Sequence, residues 1–395
     1  MNRAVIIGHN YNSILGIARA LGPEGYDISV IRTGRSNKSG LKSLGTAPEK
    51  RSKYVSRYFV ADSSKPESII ELLVGQLAFT DSKSVVFPVD DIAAEIIDNH
   101  LDILEPYFFL PNIAGTQGSV VKMMDKHYQK QLARMSGLLV PNGYSVKVYN
   151  GKYELPEIIN YPCFVKPETS FNGRKKYMGK CESETSVRQI FDSIAEQMDC
   201  SMIIEDYIDI EKEYCVVGLC NNHDVSIPDI IDEMIMGHGS HAGVTCFGKV
   251  LSPSRFNSFV IPLKKFLSSL SFNGLFTVDV MESNGKLYFC ELNMRMGASG
   301  VAVIGAGVNL PLMFAVAAKG EEVDYDVICD EMFFANEKPL MNDYGQKDIS
   351  WNDYRKMIRK ADIRFLFDKK DIKPFYCDYG FLVVKQFVKR LLMRG

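Results

Sequence analysis

Residues 290–300 read CELNMRMGASG, and the reading of the whole chain turns on them. An apolar run, LYFC, leads into the segment, so it reads as the end of a strand. Glu291, Asn293 and Arg295 then share one strand face, and Leu292 and Met294 point the other way. An acid, an amide and an arginine on one face, running straight into glycines, are more than a surface strand needs. They suit a magnesium–phosphate site, where hard oxygen ligands hold the metal and a fixed cation meets the phosphate.

Immediately upstream, LFTVDVMESNGKLYFCELN has the pattern of a hairpin, with Asn284-Gly285 as a strong turn signal. Asp279 lies on its first strand and can join Glu291 and Asn293 as a metal ligand. A two-residue loop sets Asp279 opposite Cys290. A three-residue loop or a bulge sets it opposite Glu291, and that slipped register is the expectation. A hairpin with a merely solvated polar face is the competing reading of these residues alone.

Further out, Lys166 emerges from the apolar strand CFVKPE, either as a solvated strand end or as a phosphate contact. Met124, Tyr128, Leu132 and Met135 predict one helix from Val121 to Met135 that carries Lys126. ETSFNGRKKY follows Lys166. Its one glycine and its Arg174, Lys175 and Lys176 fit either a charged loop or a basic flap over phosphates. Glu205 and Glu213 flank a turn eight residues apart in MIIEDYIDIEKEYCVV.

The order Lys, Lys, basic flap, Glu, Glu, Asp, Glu-x-Asn-x-Arg resembles the ATP-grasp superfamily, the fold of carboxylate–amine ligases, biotin carboxylase and carbamoyl phosphate synthase. The resemblance runs from about Asn112 to Gly320. It implies α/β and α+β architecture, an ATP-grasp fold preceded by a Rossmann-like parallel-sheet domain. The expected domains are 1–112, 113–320 (a lid at about 140–205, a metal-binding part at about 206–320) and a C-terminal extension, 321–395. The cofactors it implies are ATP and Mg²⁺. Lys126 and Lys166 would contact phosphates, and the 169–177 flap would close over them. Glu205, Asp206, Tyr207 and Ile208 would hold adenine largely through backbone groups, and Glu213 the ribose hydroxyls. Asp279, Glu291 and Asn293 would hold Mg²⁺. Arg295 would stabilise the phosphoryl group in flight, with Lys166 beside it, as phosphoryl transfer requires. The flap departs from the superfamily's usual glycine-rich sequence. Within the superfamily, the pattern GxxxNSILGIARALG with SKYVSRYF and VVFPVDD looks like the D-aspartate ligase group.

The implied reaction makes an acyl phosphate and ADP, and an amine then attacks to give an amide. An amino acid joined to a cell-envelope precursor, a sugar or another amine is the expected product type. Its partners are a small-molecule carboxylate and an amine; a homodimer fits such ligases. A bicarbonate-activating carboxylase and a non-catalytic ATP-binding protein are the rival readings.

The remaining chain bounds these expectations. Its 395 residues suit two or three domains. A net charge of −2 gives no case for nucleic acid. Nine cysteines without a CxxC pair argue for reduced thiols and a cytoplasmic protein. MNRAVIIGHN lacks a signal-peptide pattern, and no run approaches the roughly 20 apolar residues of a membrane span. GFLVVKQFVKRLLMRG reads as a basic amphipathic helix, docked on its own domain or resting on a membrane surface.

Residues 1–112 alternate strand and helix, which implies a parallel sheet. The first turn, GHNYNSILG, is not a dinucleotide fingerprint, but Gly8, Asn10 and Asn12 sit where such sheets bind ligands. Asp90 and Asp91 either meet the amine or cap the next helix. GHGSHAG, residues 237–243, is a surface loop or an acceptor-site lining. Ser299 and Gly300 are expected to open a helix near a substrate carboxylate.

Overall fold

A computed structural model describes residues 2–34, 47–168, 177–238 and 243–392. Contacts divide the chain into two compact units. The first comprises residues 1–120, 214–277 and 293–395, and the second residues 121–213 and 278–292.

The first unit opens with five strands, β1 (Arg3–Gly8), β2 (Asp27–Gly34), β3 (Val55–Asp62), β4 (Ser84–Pro88) and β5 (Phe108–Phe109). They form an all-parallel sheet in the order 3-2-1-4-5, as the alternating pattern predicts. β1 and β4 are continuous apolar runs because helices cover both faces of such a sheet. Helix α1 (Tyr11–Leu21) starts where the Asn10 side chain accepts the amides of Asn12 and Ser13. After β4, α2 (Asp91–Asp98) is capped by Asp90. The strand order reverses between β1 and β4, so their carboxyl ends flank a topological switch point.

A mostly antiparallel sheet completes this unit, running from Phe272–Thr277 through Tyr214–Asn222, Ile230–Met236 and Thr245–Leu251 to Phe333–Ala335 and Ile363–Arg364. Residues beyond 320 therefore extend this sheet and share its core. Leu340, Met341, Tyr344 and Tyr354 pack with Cys246 and Phe247. The last helix, Gly380–Leu392, docks on this region: Phe387 meets Tyr344 and Trp351, and Arg390 donates to the carbonyls of Tyr344 and Ile349. No helix among the described residues is long and apolar enough to cross a membrane.

The second unit holds a four-stranded antiparallel sheet, ordered Gly143–Val148, Cys200–Asp206, Cys163–Pro167, Gly179–Cys181, with the helix Glu184–Ala195 packed on it. It also contains the helix Lys126–Met135 and the hairpin tip Val278–Ser283 and Lys286–Leu292. The expected single helix over 121–135 is corrected here: it is two, Ser119–Met123 and Lys126–Met135. The Asp125 carboxylate accepts the amides of His127 and Tyr128, and that cap starts the second helix afresh.

Candidate active site

Lys166 and Glu205 lie on neighbouring antiparallel strands of the second unit. Lys166 pairs with Ile203 and Phe164 with Glu205, so the two charged side chains are diagonal neighbours on one face. Lys166 Nζ sits 2.7 Å from Glu205 Oε1, and Lys130 Nζ reaches Oε2. The three residues are only 9%, 7% and 5% exposed, which makes this a buried triad with two cations and one anion. Burial pushes the Lys130 ammonium down and the nearby Lys166 charge adds to that; Glu205 offsets part, leaving it at about 8. Burial alone would raise Glu205, but the two lysines outweigh it and hold the carboxyl below its usual range.

Lys126 is the first residue of its helix, and its Nζ lies 2.8 Å from Glu291 Oε2. Three residues on, Gln129 is buried and binds both polar groups of Leu292: it donates to the carbonyl at 2.7 Å and accepts the amide at 2.8 Å. Its side chain thus extends the ladder of the strand that carries Glu291. The hairpin turn is a two-residue loop with Asn284 and Gly285 both left-handed (φ 51° and 68°), as a type I′ turn requires. The longer loop expected from the metal-ligand pattern does not form. The Asp279 carboxylate acts electrostatically on the Cys290 thiol. Burial pushes the Cys290 thiol up to about 12 despite Lys166 and Lys130, so it stays protonated.

The segment after the triad is tied down. The Asp206 amide donates to Asn142 O at 2.8 Å, and the Asp206 carboxylate accepts the side-chain amides of Asn142 and Asn160. The Tyr207 amide donates to Pro162 O, and Lys180 lies 4.5 Å from the Tyr207 ring centre. Ile208 follows the end of the strand. Glu213 is half-buried, and that burial raises its carboxyl.

Asn293 and Arg295 belong to the first unit. Arg295 Nε donates to Asp91 Oδ1 at 2.7 Å. Thr277 Oγ1 donates to the Arg295 carbonyl and accepts the Gly297 amide, which fixes the backbone there. Asp90 caps α2 through Ala93, as the capping reading expects, and also binds His9. Ser299 directly precedes the short helix Gly300–Gly305.

Arg174, Lys175 and Lys176, and His241, lie outside the described residues. His238 pairs instead with buried Asp343, in the C-terminal part of the first unit. All nine cysteines are free. Sequence reasoning missed Lys130, Gln129 and His9, and did not foresee that Asp91 holds Arg295. Only Lys130 carried a local signal, since it lies four residues after Lys126 on one helix face.

Residues 131–308 match the ATP-grasp domain family, and the chain carries an ATP-grasp domain. It is 25% identical over 191 residues to the carbamoyl phosphate synthase large chain of Methanosarcina barkeri, which covers 48% of this chain and 18% of that one. It is 25% identical over 199 residues to the D-alanine–D-alanine ligase of Fusobacterium nucleatum, 48% of this chain and 62% of that one. The chain thus spans less than a fifth of the first relative's length and less than two thirds of the second's. The solved L-amino acid ligase from Bacillus licheniformis superposes with a TM-score of 0.61 at 15% identity, covering 84% of this chain and 79% of that one, and shares its fold.

Proposed function

We propose that this protein is an ATP-dependent ligase that activates a carboxylate as an acyl phosphate and joins it to an amine. The observation that carries the reading is the Lys126–Glu291 pair, which brings a lysine suited to phosphate within 2.8 Å of a carboxylate suited to metal. Residues 1–112 would serve as the acceptor-binding domain, 113–320 as the ATP-grasp domain and 321–395 as an extension of its sheet.

Asp279, Glu291 and Asn293 each offer an oxygen donor of the kind Mg²⁺ takes, and would be its ligands. A Mg²⁺ ion held by these residues would supply positive charge to offset that of the phosphates. Lys126, Lys166 and Lys130 would steady the phosphates, with Glu205 keeping the two buried ammonium groups charged. The amides of Asp206 and Tyr207 are already engaged, so the adenine donor would be the Ile208 amide. Glu213 would accept from the ribose hydroxyls. Arg295 would meet charge developing on the transferred phosphoryl group, an interaction strongest in the transition state. Arg174, Lys175 and Lys176 would close over the phosphates.

The carboxylate is most simply an amino acid, as the D-aspartate ligase resemblance implies, and the acceptor an amine on an envelope precursor or sugar. A cytoplasmic homodimer completes the reading. Among the described residues, exposed Val384, Val388, Lys385 and Lys389 give the last helix a face that an anionic membrane could meet; co-sedimentation with anionic vesicles tests it.

The test of the function is hydroxamate formation from Mg-ATP, hydroxylamine and a panel of D- and L-amino acids and uronic acids. A hydroxamate from one member with matching ADP supports the reading. ADP that follows bicarbonate alone would replace it with a carboxylase, and no ADP with any carboxylate, with or without an amine, would refute it.

A further inference from the structure

We propose that His9 is the general base of the amide-forming step, with Asp90 as the residue that positions it. The proposal rests on the ligase reading and adds a residue to it.

Asp90 Oδ2 accepts the His9 backbone amide at 2.6 Å and lies 2.6 Å from His9 Nδ1. Its other oxygen accepts the Ala93 amide at 2.8 Å and caps the helix. The cap alone needs only that second oxygen, so the contact to histidine is additional. Asp90 is 8% exposed and the His9 side chain 63%. Burial raises the Asp90 carboxyl, but its bonds from His9 outweigh that and keep it ionised. An ionised carboxylate only accepts, so Nδ1 carries a proton, and in the neutral imidazole the lone pair is on Nε2. An imidazole tied down at Nδ1 on a side chain that is largely exposed is arranged to take a proton from a bound ligand.

Position supports the same role. His9 follows β1 and Asp90 follows β4, at the switch point where open parallel sheets bind ligands. Asp91, the next residue, holds Arg295 at 2.7 Å, beside the dyad. Gly8 is required for this approach. Its φ of +142° disfavours other residues, and a Cβ there would lie 2.5 Å from Asp90 Oδ2.

In the step, the amine lone pair forms the C–N bond at the acyl carbon. The bond from that carbon to the phosphate oxygen breaks, and its electron pair leaves with phosphate. The proton lost by nitrogen goes to His9 Nε2, and the imidazolium, paired with Asp90, releases it to water.

The experiment is a competition. Wild type and variants receive Mg-ATP, the carboxylate that gives a hydroxamate, the amino acid or amino sugar that wild type couples best, and hydroxylamine. Hydroxylamine is unprotonated near neutral pH and strongly nucleophilic, so it depends less on a base. His9→Ala is expected to lower the amide-to-hydroxamate ratio about 100-fold, a typical general-base contribution, with added imidazole restoring part of the amide. Asp90→Asn, which keeps an oxygen for the cap, is expected to lower the ratio by a smaller factor. An unchanged ratio in His9→Ala, or both products falling together without rescue by imidazole, overturns the proposal. Wild type that forms neither product refutes the ligase reading instead, a result distinct from either.

Discussion

Glu205→Gln tests the electrostatics of the candidate site most sharply. Glutamine keeps the volume and removes the anion that bridges two lysines, which are 5% and 9% exposed. Removing one partner of a buried ion pair typically costs about 3–5 kcal/mol, because the remaining charge is left without compensation. Solvent offsets little of this at such low exposure, so a loss of about 3 kcal/mol or more is expected in the second unit. The sign with pH follows from the lysines. Lys130 already has a folded pKa of about 8, below the value of about 10.4 for an unperturbed lysine. The unfolded chain therefore holds more protons between the two values, and this group's contribution improves as pH rises through that window. In the variant Lys130 is depressed further and Lys166 loses the carboxylate that raises it, so the loss is largest below that window and shrinks as pH rises through it. Adding Lys130→Met removes one uncompensated charge and should return a substantial part of the stability. Hydrogen exchange on the strand Cys200–Asp206, with urea unfolding, measures each effect. A single variant within about 1 kcal/mol of wild type, far below the buried-pair range, or a double variant no more stable than the single, refutes the reasoning.

Three further outcomes are expected. Arg295→Ala should bind ATP with near wild-type affinity in calorimetry and lose about 100- to 1,000-fold in turnover, as for other donors aimed at transition-state charge; turnover that survives removes Arg295 from the phosphoryl site. Glu291→Gln should shift the Mg²⁺ titration of ATP turnover to higher concentration, and an unchanged titration takes Glu291 out of the ligand set. Gly8→Ala should cost about 1–3 kcal/mol in urea unfolding through its strained φ; unaltered stability would mean that the β1 turn accommodates a Cβ.

The parallel sheet was legible because each strand of residues 1–112 announces itself as a short apolar run between turn residues. The Glu291 strand was legible for a similar reason: parity puts Glu291 and Asn293 on one face within three residues. The pairings that build the site were not, because they join residues far apart in the chain. Asp90 meets His9 across 81 positions and Arg295 meets Asp91 across 204. No local pattern encodes such contacts; sheet order does. The break at Asp125 had a local signal, an aspartate two residues before a histidine and lysine-rich turn, but the apolar period ran across it and favoured one long helix. The loop at Asn284-Gly285 took the conformation its own sequence prefers, and the metal-ligand argument for a longer loop carried less weight than the turn chemistry. Residues 321–395 showed no motif because their contribution to the sheet is two strands of three and two residues.

The central claim is that a carboxylate attacks ATP and leaves as an acyl phosphate. Its most direct measurement is oxygen transfer from the carboxylate that the hydroxamate panel identifies, labelled with ¹⁸O at its carboxyl group. The labelled acid, Mg-ATP and the amine are incubated with the protein, and the released phosphate is analysed by ³¹P NMR. One labelled oxygen in each phosphate, matched by amide and ADP, is the result expected. Unlabelled phosphate accompanying amide formation would contradict the account.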